Sequence, residues 1–92
     1  MRNYEMMVIL DPDTPFDESK KFLHETFKSN DVKVLEEKDM GVRDLAYEIN
    51  RKKRGHYYLL NLESEQNVLL NVNREFKLNT GVLRQLTVKQ GK

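Results

Sequence analysis

Tyr4, Met6, Val8 and Leu10 alternate with Glu5, Met7 and Ile9, the period-two pattern of a strand with one wholly apolar face. Asp11-Pro12-Asp13 ends it. Thr14 then reads as a helix cap, with Pro15 at the first helical position and Asp17 close to a capping-box partner. Phe16, Leu23 and Phe27, with Phe22 and Thr26 beside them, predict an amphipathic helix to about Ser29. Asn30-Asp31 is a turn, after which Val32 to Ile49 reads as a long strand interrupted at Gly41, where a glycine inside a strand pattern marks a bulge. Leu45, Tyr47 and Ile49 are its apolar phase beyond that point. A basic tip, Arg51-Lys52-Lys53-Arg54-Gly55, leads into a third strand over His56 to Glu63. Ser64 reads as the cap of a second helix with a stripe of Leu69, Val72 and Phe76, widened by Val68 and Leu78. Thr80-Gly81 ends that helix, and Val82 to Lys89 is the last strand.

The order β-α-β-β-α-β is the ferredoxin-like split arrangement. It predicts an α+β fold: a four-stranded antiparallel sheet with two helices on one face, as one domain spanning residues 1–92. Two helices with single apolar stripes cover only one sheet face, so the other is left to water or a partner. In the third strand, placing Tyr58, Leu60 and Leu62 inward leaves Tyr57, Leu59, Asn61 and Glu63 outward; the opposite choice would bury a carboxylate under the helices at a cost of several kcal/mol. The first strand likewise turns Met7 and Ile9 outward. The open face then carries Met7, Ile9, Tyr57 and Leu59, too apolar a cluster for simple exposure, and a protein partner is expected there.

At 92 residues, with 34% charged and 38% hydrophobic positions, the chain has the composition of a soluble globular domain, and no apolar run approaches the roughly 20 residues of a membrane span. The N-terminal residues make a poor signal peptide, so the cytoplasm is expected. The absence of cysteine excludes disulfides, thiol catalysis and thiolate metal sites. The net charge of +1 hides an asymmetry: residues 1–48 hold 7 Lys and Arg against 12 Asp and Glu, residues 49–92 hold 9 against 3. Segregated cations suit a one-sided polyanion contact, centred on the tip residues Arg51, Lys52, Lys53 and Arg54. The near-zero total implies that a partner supplies part of the attraction.

Catalysis finds little support. His24 and His56 read as surface residues without a nucleophile or paired carboxylate at a readable spacing. Glu36, Glu37 and Asp39 lack metal-loop spacing, the four glycines are isolated, and no metal or cofactor is expected. An acylphosphatase-like enzyme would need an anion-binding loop where Asp11-Pro12-Asp13 stands. Arg54-Gly55-His56-Tyr57-Tyr58-Leu59 invites comparison with the third strand of the RNA-recognition motif, which would turn His56 and Tyr58 outward for base stacking. The parity above puts Tyr58 inside instead.

Four motifs in register extend the comparison. Met1-Arg2-x-Tyr4-Glu5, Gly41-x-Arg43-x-Leu45-Ala46-Tyr47-x-Ile49, the basic hairpin with Gly55 and Tyr57, and Val82-Leu83-Arg84 together resemble the family of the sixth protein of the bacterial small ribosomal subunit. The resemblance covers essentially the whole chain. It departs at Asp44 and Glu48, where the family commonly carries a basic residue and a proline. What it implies is a non-enzymatic ribosomal protein, binding small-subunit (16S) ribosomal RNA as a heterodimer with the eighteenth small-subunit protein. Arg2, Arg84 and Lys89 then join the tip cations as candidate RNA contacts, and Arg43 joins Met7, Ile9, Tyr57 and Leu59 as a candidate partner contact. A protein-only adaptor is the alternative reading, and an acylphosphatase-like enzyme the next.

Overall fold

The computed structural model describes residues 2–79 and 81–89, Lys89 by its backbone alone. Its elements are β1 (Arg2–Leu10), α1 (Phe16–Ser29), β2 (Lys33–Ile49), β3 (Lys52–Ser64), α2 (Gln66–Lys77) and β4 (Val82–Lys89). They build one sheet in the order β2-β3-β1-β4, with every neighbouring pair antiparallel. This is the ferredoxin-like α+β arrangement expected from the element order.

Register decides which residues share a face, because directly opposed side chains project to the same side. Tyr4 opposes Leu62, Met6 opposes Leu60 and Val8 opposes Tyr58, and all six are buried under the helices. Leu23 and Phe27 of α1 and Leu69, Val72 and Phe76 of α2 complete this core. Phe27 and Phe76 meet edge to face with ring centroids 5.7 Å apart, which ties the helices to each other. Each fully buried aliphatic or aromatic side chain here contributes roughly 1.5–3 kcal/mol. Tyr58 is thus inward, and the arrangement that would expose it for base stacking is overturned.

Several boundaries differ from the sequence reading. Pro15, not Thr14, is the N-cap of α1, and no side chain caps it. Asp17 and Glu18 in the first turn still complement the helix dipole. Ser64 is the fully buried last residue of β3 rather than a helix cap; its hydroxyl donates to the Glu65 carbonyl, and Glu65 takes the cap position. Leu78 falls beyond α2 and is 82% exposed, so it does not widen the apolar stripe. Thr80 lies outside the described residues.

The β2–β3 hairpin positions the candidate functional surface. Gly41 sits at φ +83° within a register shift between Asp39 and Gly41, so the expected bulge is present. The hairpin closes on a two-residue turn, since Ile49 opposes Lys52. Asn50 and Arg51 take φ of 49° and 65°, the positive values a type I′ turn requires. The basic run is therefore not a loop: Lys52, Lys53 and Arg54 begin β3. Asp44 opposes Arg54, so residues 45–48 stand against Lys53 alone and the arm kinks. The kink carries Leu45 over Gly55 and brings the Tyr47 hydroxyl to the Arg84 guanidinium, which donates to it, on the opposite edge strand.

Gly55 is required by this path. A Cβ there would overlap Ile9 Cγ2 and lie 3.2 Å from Leu45 Cδ2. The branched methyl of Ile9 cannot swing aside as the end of a long side chain could. Gly55→Ala should therefore lower stability by about 1–3 kcal/mol in urea titrations, and adding Ile9→Ala should cost less than the two single changes summed. Strict additivity would show that positions 9 and 55 do not compete for space.

Candidate nucleic-acid interface and open face

The cations singled out from the sequence divide into groups. Arg2 opposes Ser64, at the other end of the sheet from the hairpin and up to roughly 30 Å along β3 from Arg54. The side chain of Lys89 lies outside the described residues; its backbone opposes Tyr4 near the Arg2 end. Arg51, Lys52, Lys53, Arg54 and Arg84 gather at the hairpin end. They are not equivalent there. Lys52 Nζ lies 2.6 Å from Asp13 Oδ2 and 3.5 Å from Asp11 Oδ2, pinning β3 to the loop after β1. The hydrogen bond to Asp13 raises the Lys52 pKa above its ordinary value, and the Asp11 charge acts in the same direction. Arg54 Nε is 3.5 Å from Asp44 Oδ1 on an exposed part of the hairpin. Arg51 and Lys53 are exposed and have no carboxylate partner among the described residues.

The loop after β1 is built around its carboxylates. Asp11 Oδ1 accepts from the Asp13 backbone N–H at 2.9 Å, and both side chains face Lys52. Its negative charge opposes a bound phosphate, as the sequence suggested.

His56 is a structural residue rather than a surface one. Its ring stacks on Phe16 of α1 at 4.4 Å, and its Nε2 is 2.5 Å from Asp39 Oδ1. A carboxylate only accepts, so Nε2 carries the hydrogen. That bond, followed by the Gly41 backbone N–H, holds the Asp39 carboxyl below its usual 3.8. The same carboxylate thereby fixes the bulge and anchors β2 to β3. His24 and Lys20 both approach Glu37 Oε1, at 3.2 and 3.6 Å, on the outer surface of α1 and β2.

On the uncovered face, Leu59, Met7 and Leu86 are directly opposed across β3, β1 and β4. Leu86 is 51% exposed and Val88, two positions further along β4, 61%. Met7, Tyr57 and Leu59 are half-buried by their neighbours on the sheet. Ile9 has the outward parity expected of it, yet it is buried because Gly55 and Leu45 close over it. It belongs to a small second core under the hairpin arm, not to a contact surface. Arg43 opposes Gly55 on this side and is exposed, its Nε donating to the Met40 carbonyl at 3.3 Å. Leu86 and Val88 were not among the sequence candidates, because the facing of β4 follows only from its register with β1.

These features define a ferredoxin-like domain with one face sealed by helices, a basic hairpin at one end and an apolar row on the open sheet face. The chain belongs to the ribosomal protein S6 family, whose model matches residues 3–89. It is 41% identical to the small ribosomal subunit protein bS6 of Exiguobacterium sp. over 97% of each chain. With the bS6 protein of Phytoplasma australiense it shares 36% identity, over 98% of this chain and 100% of that one. The crystal structure of 30S ribosomal protein S6 from Thermotoga maritima superposes with a TM-score of 0.85 at 22% identity, covering 97% of this chain and 87% of that one. The C-terminal domain of the MgtC protein from Mycobacterium tuberculosis shares the fold at a TM-score of 0.62 and 14% identity, over 98% of this chain and 88% of that one. As a member of the family the chain is a structural protein of the bacterial small ribosomal subunit, located in the cytoplasmic ribosome.

The two shifted groups give opposite pH dependences. Stabilisation from Asp39 is present above 3.8 and lost as pH falls through the lowered native value. Stabilisation from Lys52 is present below 10.5 and lost as pH rises through its raised native value. Urea midpoints should therefore separate wild type from Asp39→Asn at pH 5 to 7 and converge as the pH falls toward roughly 2. A constant gap across that range would rule out the His56–Asp39 bond as the source.

Proposed function

We propose that this chain, as a single domain, binds small-subunit ribosomal RNA at the hairpin end while the eighteenth small-subunit protein covers its open sheet face. The apolar row Leu59–Met7–Leu86, uncovered by either helix, carries the reading. Such a row on a chain of net charge +1 suits a heterodimer that meets RNA with pooled charge. Arg51 and Lys53 are the cations best placed to meet phosphate, because Lys52 is already held by two carboxylates.

The test is binding of a small-subunit RNA fragment by the chain with and without its partner protein across a salt series. Each phosphate contact lowers the logarithm of affinity by roughly 0.7–0.9 per logarithm of salt. Removing Arg51 and Lys53 together, as Arg51→Gly with Lys53→Gln, should flatten that slope by about 1.4–1.8. Glycine at 51 keeps the positive φ of the turn, so charge is removed without opening the hairpin. Lys52→Gln should leave the slope nearly unchanged and lower stability instead. A slope untouched by the double variant would take the tip out of the RNA contact.

The partner surface has its own check. Leu59→Ala or Leu86→Ala should weaken heterodimer formation about tenfold, as anchor truncations do, with little effect on the free chain. Leu60→Ala, one position along β3 but fully buried, should instead cost roughly 2–5 kcal/mol of stability. Equal heterodimer affinity in all three variants would place the partner elsewhere.

A further inference from the structure

Behind the hairpin tip lies a cleft of about 290 Å³ lined by Asn50 of the turn, Phe76 and Lys77 at the end of α2, and Val82, Leu83, Arg84 and Gln85 of β4. We propose that it holds one unpaired nucleotide of the bound RNA, its base against the apolar floor and its phosphate at the cations. The proposal rests on the RNA-binding reading above and gives it a specific pocket.

The lining chemistry points that way. Among the described residues the cleft is lined by two cations, Lys77 and Arg84, and by no carboxylate, which suits an occupant of negative charge. Phe76 and Leu83 are buried and give the cleft an apolar floor, which a bare phosphate would not need. Two carboxamides, Asn50 and Gln85, offer paired donors and acceptors, the groups that read base edges. Gln85 is oriented: its Oε1 accepts from the Thr87 hydroxyl at 2.9 Å, so its amide N–H groups are left for an acceptor. Arg84 is oriented as well, because one of its Nη groups donates to the Tyr47 hydroxyl. At about 290 Å³ the cleft falls just below the ~300–1,000 Å³ spanned by small-ligand sites, which suits one nucleotide rather than a stacked run. Single-stranded RNA presents such splayed bases.

The cleft depends on the hairpin arm. Asn50 reaches the edge of β4 because the kink at residues 45–48 carries the turn across the end of the sheet. A side chain at a loop tip thereby becomes one wall of a site whose other walls are α2 and β4.

The experiment titrates the isotopically labelled full chain with AMP, CMP, GMP and UMP, and separately with inorganic phosphate and O-phosphoserine, following the side-chain amides of Asn50 and Gln85 by NMR. Saturable shifts of both amides with at least one nucleotide, at least tenfold weaker or absent with phosphate and phosphoserine, are expected. Gln85→Met, which keeps length and removes the amide, should weaken that nucleotide at least fivefold and narrow the preference among bases while leaving phosphate binding unchanged. Equal response to phosphate or phosphoserine would overturn the proposal in favour of a bare anion or phosphopeptide contact. No response to any nucleotide would overturn it outright. The RNA salt series with Gln85→Met separates the two readings: unchanged RNA affinity removes the pocket and spares RNA binding, whereas nucleotide binding without RNA binding does the reverse.

Discussion

The missing side chain at position 55 lets the hairpin arm lie down on the sheet. With no side chain at Gly55, Ile9 and Leu45 both crowd its space, and the arm's course past Lys53 is compatible with that contact. Tyr47 then reaches Arg84 on the opposite edge strand, Lys52 comes within reach of Asp11 and Asp13, and Asn50 arrives beside β4. The ion pairs among these contacts are exposed and weak when taken singly. The apolar contact under the arm makes them mutually consistent.

Much of this was legible from alternation alone. The inward set of β1 and β3 followed from the cost of burying Asn61 and Glu63, and the bulge at Gly41 from a glycine interrupting a strand. What was illegible depends on distant residues. Ile9 alternates outward like Met7, and only the fold of the arm, some forty residues later in the chain, buries it. His56 follows a run of charges in the sequence, and its role appears only when Phe16 and Asp39 are brought to it. A run of four cations looks uniform in sequence, yet carboxylates on β2 and on the loop after β1 pair with two of them, while Arg51 and Lys53 have no such partner among the described residues. The facing of Leu86 could not be assigned because Leu83 is the extra residue where β4 slips its register against β1.

The shared architecture with an MgtC domain at a TM-score of 0.62 marks how little the fold alone decides. Two helices over a four-stranded sheet account for stability. The proposed contacts lie on what the sheet leaves uncovered and on a hairpin longer than the sheet needs. Asp44 and Glu48, where the sequence departs from the pattern it otherwise resembles, fall in this hairpin. Asp44 places a negative charge beside Arg54, so the chain carries less free positive charge on that segment than the motif would otherwise give it.

The three register shifts along β2 have a consequence for the protein before it meets any partner. A seventeen-residue strand with a single neighbour exposes a long row of unpaired backbone donors and acceptors, a template on which another copy could build. Bulges interrupt that row at Leu35, at Met40 and again beyond Asp44, and the intervening Glu36, Glu37, Lys38 and Asp39 put charge on it. The regular stretches left between the shifts, residues 36–39 and 41–44, are short. Bulges and edge charges of this kind are the devices by which an exposed outer strand is made a poor template for a second copy.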